Sequence, residues 1–269
     1  MRRCSPLCLV IFLLFVIPPL SAQSGSELVQ VIPPPIQLVP PPSPDASAQE
    51  LEEQADVFRE KKDLLDALDY FRAALAKDPN NSRIQNKVGI TELIMLRYHD
   101  AKKSFEHAIR LDRQFADAYN NLGVTEYFRH NYGRAVKLYD KASQLRPDCA
   151  SYYANAGAAY YSEKEFERAG MAYEQALKLD PTIFERTSRT GVAAQLPPNV
   201  EEKAHFDYLL AKLFAKEGDK DRSLQYLRRA MEEGYKQINN VYKDPEFEGL
   251  RSDARFSELM AARPRGIPE

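Results

Sequence analysis

Ala67, Ala101, Ala135 and Ala169 stand 34 residues apart. Phe71, Phe105, Tyr139 and Tyr173 keep the same step, and so do Ala74, Ala108, Ala142 and Ala176. Upstream in each copy come Ala55, Gly89, Gly123 and Gly157. Downstream come Pro79, Pro147 and Pro181, with Arg113 where the second proline would fall. A period of roughly 20–50 residues is the mark of a repeat array, whose units bury their apolar faces only by stacking on one another. Composition agrees with helical units. Glycine is scarce at 11, tryptophan is absent, and apolar residues reach 44%. Ala, Leu, Glu, Lys and Arg favour helix over a turn-rich sandwich.

The copies at 116–149 and 150–183 resemble the tetratricopeptide repeat (TPR) family. In the first, Tyr119, Leu122, Gly123, Ala135, Tyr139, Ala142 and Pro147 carry the likeness; in the second, Tyr153, Gly157, Tyr160, Ala169, Tyr173, Ala176 and Pro181. The resemblance implies an all-α, right-handed superhelical solenoid of about five helix-turn-helix repeats. Each has a helix A, a turn and an antiparallel helix B. Small residues at repeat positions 8 and 20 let the two backbones approach. The aromatic at position 24 fills the space beside them, and Pro at position 32 ends helix B. Four repeats are expected at 49–81, 82–115, 116–149 and 150–181.

A fifth copy is out of register. Leu210, Ala211, Ser223, Leu227 and Ala230 fit positions 7, 8, 20, 24 and 27 of a repeat within 201–235. An insertion at 182–200 precedes it, with Gly191 and Pro197-Pro198, and reads as a surface excursion. Asn199 before Glu201-Glu202 reads as an N-cap. Residues 236–269 hold Asp244-Pro245-Glu246-Phe247 and then Phe256, Leu259 and Met260 at helical spacing. This resembles the DPxF…LR…RFxxLL ending that follows many bacterial TPR arrays. It is expected to cap the last repeat with a final helix.

The N-terminal stretch has another composition. Arg2 and Arg3, the apolar run Cys8–Ile17, and Pro18-Pro19-Leu20-Ser21-Ala22 have the three-part layout of a secretory signal, residues 1–22, cleaved after Ala22. An uncleaved anchor extending through Leu20 is the competing reading, and it would keep the chain near a membrane. Residues 23–48 carry Pro33-Pro34-Pro35 and Pro40-Pro41-Pro42-Ser43-Pro44 and read as a disordered, semi-rigid linker.

The chemistry-bearing residues are sparse. Cys149 is the one cysteine left after cleavage, so the fold is not built on disulfides. His99, His107, His130 and His205 are scattered, and no nucleophile–base pair, metal motif or phosphate loop occurs. No catalytic residue, metal or cofactor is expected. Lys+Arg is 37 against Asp+Glu 39, a net charge of −2, with none of the basic excess of a nucleic-acid-binding domain.

By resemblance, TPR arrays hold a peptide segment or a partner helix along the concave face lined by A helices. The residues at those positions here are Asn86, Lys87, Asn120, Asn121, Asn155, Val124, Tyr127 and Tyr161. An asparagine amide has both donor and acceptor and can pair with any peptide unit. Tyrosine adds apolar area and a hydroxyl. The clamp that grips a C-terminal carboxylate in some TPRs does not fit, because Glu52, Asp56 and Asp117 fall among the positions where it needs cations. The expected function is a non-catalytic adaptor for another protein or peptide, in the periplasm or at the cell envelope. The alternative is a structural part of an envelope assembly or secretion complex.

Overall fold

A computed structural model describes residues 39–185 and 200–263. The signal and most of the linker fall outside the described residues, and so do Asn199 and most of the insertion. Residues from Pro40 onward form one compact unit.

The described residues contain helices and no strand. Four helix pairs follow one another: α1 (Ala48–Glu60) with α2 (Leu64–Lys77), α3 (Ser82–Ile94) with α4 (Tyr98–Leu111), α5 (Ala116–Phe128) with α6 (Tyr132–Leu145), and α7 (Ala150–Ser162) with α8 (Phe166–Leu179). A helices start at 48, 82, 116 and 150, and B helices at 64, 98, 132 and 166. The period of the alanines is therefore the period of the helices. α9 (Val200–Lys216) and α10 (Lys220–Glu232) form a fifth pair. Each A helix packs on its own B helix, and through the first four pairs each B helix packs on the next A helix.

The repeating residues are the contact points. Ala67, Ala101, Ala135 and Ala169 are fully buried, as are Ala74, Ala108, Ala142 and Ala176. At Gly89, Gly123 and Gly157 an added Cβ would lie 2.5–2.6 Å from a ring carbon of Phe105, Tyr139 or Tyr173. The aromatic of helix B thus rests on the bare backbone of helix A.

The ends of the helices repeat as well. α2, α4, α6 and α8 stop at Asp78, Asp112, Arg146 and Asp180, each extended with φ between −132° and −146°. A proline follows next in three of these copies and Arg113 in the other, yet the helix ends in the same register. The A-to-B turns close on a residue in the left-handed region: Lys62, Leu96, His130 and Lys164, with φ of 61–71°, and Gly218 at 80°. Past each, the next amide donates back five residues, as from Arg97 N–H to the Glu92 carbonyl at 2.9 Å. This is the Schellman closure, usually given to glycine.

The edges of the array depart from the linker and insertion expectations. Residues 40–47 are not a free linker end. The Tyr70 hydroxyl donates to the Pro40 carbonyl (2.8 Å), and Lys77 Nζ donates to that of Pro44 (2.6 Å). Ser47 and Glu50 then form a reciprocal capping box that starts α1. The first residues after α8 do not leave the core: Phe184 sits edge-on to Tyr173 (5.3 Å) and Phe206 (6.0 Å). Both differences have one cause: apolar or acceptor-rich chain lies beside a face that would otherwise be open. At the far end, Val241, Phe247, Leu250, Phe256, Leu259 and Met260 are buried in one cluster with Leu210, Ala211, Leu227 and Ala230 of α9 and α10. The last two helices are α11 (Glu248–Arg251) and α12 (Ala254–Ala262).

Candidate partner-binding groove

All eight expected groove residues lie on three successive A helices, α3, α5 and α7. The fold brings them together, and mostly turns them towards one another. Asn121 Nδ2 donates to Asn86 Oδ1 (3.1 Å), and Asn155 Nδ2 donates to Asn120 Oδ1 (2.8 Å). Asn120 Nδ2 reaches Asn121 Oδ1 (3.2 Å), so the four amides form one connected chain across three helices. Asn86, Asn120 and Asn155 are buried, and Asn121 is half-buried. The amides expected to meet a peptide backbone instead satisfy one another. The reason is the cost of an unpaired buried amide, which exceeds what one exposed hydrogen bond returns.

The other four are placed similarly. Lys87 Nζ lies 2.6 Å from Glu52 Oε1 and also contacts Asp56, both on α1. Val124 is buried. Tyr127 Oη is 3.0 Å from Ser162 Oγ, and burial raises its hydroxyl pKa against the opposing pull of that bond. Tyr161 is buried and donates to the Glu202 carbonyl (2.7 Å). Burial pushes its hydroxyl well up. Lys87, Asn121 and Tyr127 keep partial exposure, as does Ile90, and Ile94 at the end of α3 is exposed.

A spacing of 35 residues runs through these bonds. It joins Glu52 to Lys87, Asn86 to Asn121, Asn120 to Asn155, Asp117 to Tyr152 and Tyr127 to Ser162. That is one repeat plus one residue, so a given position faces the following position of the next A helix. The 34-residue period alone hides this. A search for complementary polar pairs at 35 would have found it. Asp117 is also answered by Arg146, which contacts Tyr152 as well.

Two groupings escaped the sequence reading. Glu126 is fully buried at the end of α5, 3.0 Å from Lys102 Nζ of the preceding pair and 3.1 Å from Arg129, with Asn131 donating at 2.7 Å. Burial alone would raise its carboxyl pKa; the Asn131 amide and the Lys102 ammonium outweigh that, and the net shift is downward. An aromatic group joins the fourth and fifth pairs. Phe166 and His205 rings are 4.4 Å apart, Tyr161 and His205 5.6 Å, and Tyr208 and Tyr235 4.4 Å. Burial lowers the His205 pKa, and Lys212 adds to the effect. Among the described residues, no group of three or more His, Cys, Asp or Glu could hold a metal, and no helix is long and apolar enough to cross a membrane.

A family model described as tetratricopeptide repeat matches residues 95–142 and 125–182. Residues 95–182 are tetratricopeptide repeats. The groove residues Asn120, Asn121, Val124, Tyr127, Asn155 and Tyr161 lie inside that TPR stretch, and Asn86 and Lys87 lie one helix ahead of it. No curated protein matches the chain. Among solved structures, Pseudomonas aeruginosa PilF is 19% identical over 80% of this chain and 82% of its own, with a TM-score of 0.50. A MamA structure is 24% identical over 66% of this chain and 93% of its own, at 0.48. MamA of Desulfovibrio magneticus RS-1 is 17% identical over 69% and 93%, at 0.49. The likeness to PilF shows the TPR-type solenoid fold.

Proposed function

We propose that the chain is a non-catalytic TPR scaffold that holds a segment of another protein along its A helices, after export to the periplasm or cell envelope. The observation that carries this is the half-exposed group Lys87, Asn121 and Tyr127 on two successive A helices, α3 and α5, with Ile90 and Ile94 further along α3. Lys87 and Asn121 are one repeat apart. Their buried neighbours fix their geometry, so a partner would meet a surface already ordered, and little side-chain entropy would be lost on binding. Polar tips over an apolar floor match what interfaces use. The secretory layout of residues 1–22 supports the location.

The test is site-specific photo-crosslinking in the native envelope, followed by mass spectrometry. A crosslinker at position 121 or 127 is expected to capture a defined protein that one at Met171, exposed on α8, does not. The same products from all three positions would sink the reading.

A further inference from the structure

Among the described residues, no helix pair precedes α1. Two later pairs show what such an end face expects. Glu126, at repeat position 11, pairs with Lys102 on the previous B helix, and Glu92, also at position 11, lies 3.6 Å from Arg72 on the previous B helix. In the first repeat position 11 is Phe58, and its ring packs against Tyr70 on α2 at 5.0 Å. Tyr70 and Phe58 therefore mark the side where a previous B helix would lie. Residues 40–44 occupy it, through the Tyr70–Pro40 and Lys77–Pro44 hydrogen bonds.

The chemistry of the two partners matches. A proline-rich strand offers carbonyl acceptors and almost no N–H donors, with φ held near −65°. The end face offers a Tyr hydroxyl and a Lys ammonium to it, both acting as donors. The spacing matches too. Four residues of extended proline strand cover roughly 12 Å, and the seven residues from Tyr70 to Lys77 cover roughly 10 Å of helix. Because the strand is stiff before it docks, little conformational entropy is lost when it does.

We propose that the end face formed by α1 and α2 is a reader of polyproline strands. In the free chain its occupant is the chain's own Pro40–Pro44. The same face takes a proline-rich strand from outside when the internal one is displaced. This surface is separate from the A-helix row, and it stands or falls independently of the adaptor reading.

The test uses the full chain with Pro40→Gly, Pro41→Gly, Pro42→Gly and Pro44→Gly, which keeps the backbone but removes its stiffness. A fluorescent synthetic peptide carrying residues 37–46 is titrated against it and read by anisotropy. Saturable binding is expected, about tenfold tighter than to the unsubstituted chain, whose own strand competes. Adding Tyr70→Phe and Lys77→Met to the glycine variant is expected to weaken binding about tenfold or more, as the loss of two hydrogen bonds implies. Tyr70→Phe alone removes one oxygen and leaves the ring on Phe58, so it keeps the test valid if Lys77→Met perturbs the fold. Helicity and melting of each variant are followed in parallel. The proposal fails if the glycine variant gives no saturable binding or if Tyr70→Phe leaves binding unchanged. It also fails if a glycine-substituted peptide binds as well, or if sedimentation shows the freed faces pairing with each other to the exclusion of peptide.

Discussion

At the scale of single residues, the array depends on a few positions where almost no other side chain fits. Gly123 is the sharpest case. A Cβ there would lie 2.6 Å from the Tyr139 ring, which is itself buried. Gly123→Ala is expected to cost about 1–3 kcal/mol as the ring is forced aside, seen as a lower urea midpoint at unchanged slope. The A-to-B turns show the opposite situation. Leu96 sits at φ 61°, two-thirds exposed, where Gly218 serves the fifth pair. A left-handed conformation costs a side chain roughly 1 kcal/mol, and glycine escapes it. Leu96→Gly is expected to raise stability by up to about 1 kcal/mol, read as a higher midpoint in the same titration. An unchanged or lower midpoint would mean that the Leu96 side chain makes a compensating contact.

At the scale of the helix, the recurring end of helix B is set by the extended residue before the repeat's proline position, not by proline itself. Asp112 has φ −138° and ψ 104°, the conformation a following proline requires, yet Arg113 follows it. Arg113→Pro is expected to stabilise the chain by about 0.5–1 kcal/mol by restricting the unfolded state, measured as a rise in melting temperature. The helix pairs were legible in the sequence because close packing leaves no freedom at positions 8, 20, 24 and 27. The turns were not. Lys62, Leu96, His130 and Lys164 give no glycine signal, and nothing in their side chains announces a left-handed backbone. The candidate groove was half legible. Its eight residues were correctly placed on A helices, but which neighbour each amide would meet depends on how adjacent A helices are offset, and one residue of offset turns an exposed amide into a buried one. The docking of residues 40–44 was illegible for a different reason: it rests on one hydroxyl and one ammonium some thirty positions away, with no periodicity to mark them.

At the scale of the whole molecule, stability is shared between neighbouring repeats. Glu126 carries part of that sharing, since it joins α5 to Lys102 of the previous pair. Its carboxyl is held below the ordinary value of 4.5 in the folded chain. A depressed folded pKa contributes stability that is fully present above about pH 4.5 and is lost as pH falls through the folded value. Glu126→Gln leaves Lys102, Arg129 and Arg134 without their shared acid. It is expected to cost about 2 kcal/mol at pH 7. It should also remove part of the stability loss as pH falls below about 4.5, which parallel denaturant titrations of the two proteins would compare. An unchanged slope across that window would show that other carboxylates govern the acid transition.

The ladder of bonds at a spacing of 35 has a consequence for how such a chain tolerates length change. A rung fixes which residue faces which across a junction, so an insertion or deletion within a helix it joins would misalign it by about a quarter of a turn per residue. Amide or carboxylate rungs from position 5 cross the first three junctions, at Glu52–Lys87, Asn86–Asn121 and Asn120–Asn155. At the fourth, that position is Ala154, which has no polar side chain to offer. At that junction the step between B helices lengthens from 34 to 54, from Phe166 to Lys220. Polar bonds do cross there, from Tyr161 to the Glu202 carbonyl and from Lys216 to Glu174, but at spacings of 41 and 42, so the count between partners works as a ruler that reads 35 where the repeat is regular and more where chain has been added.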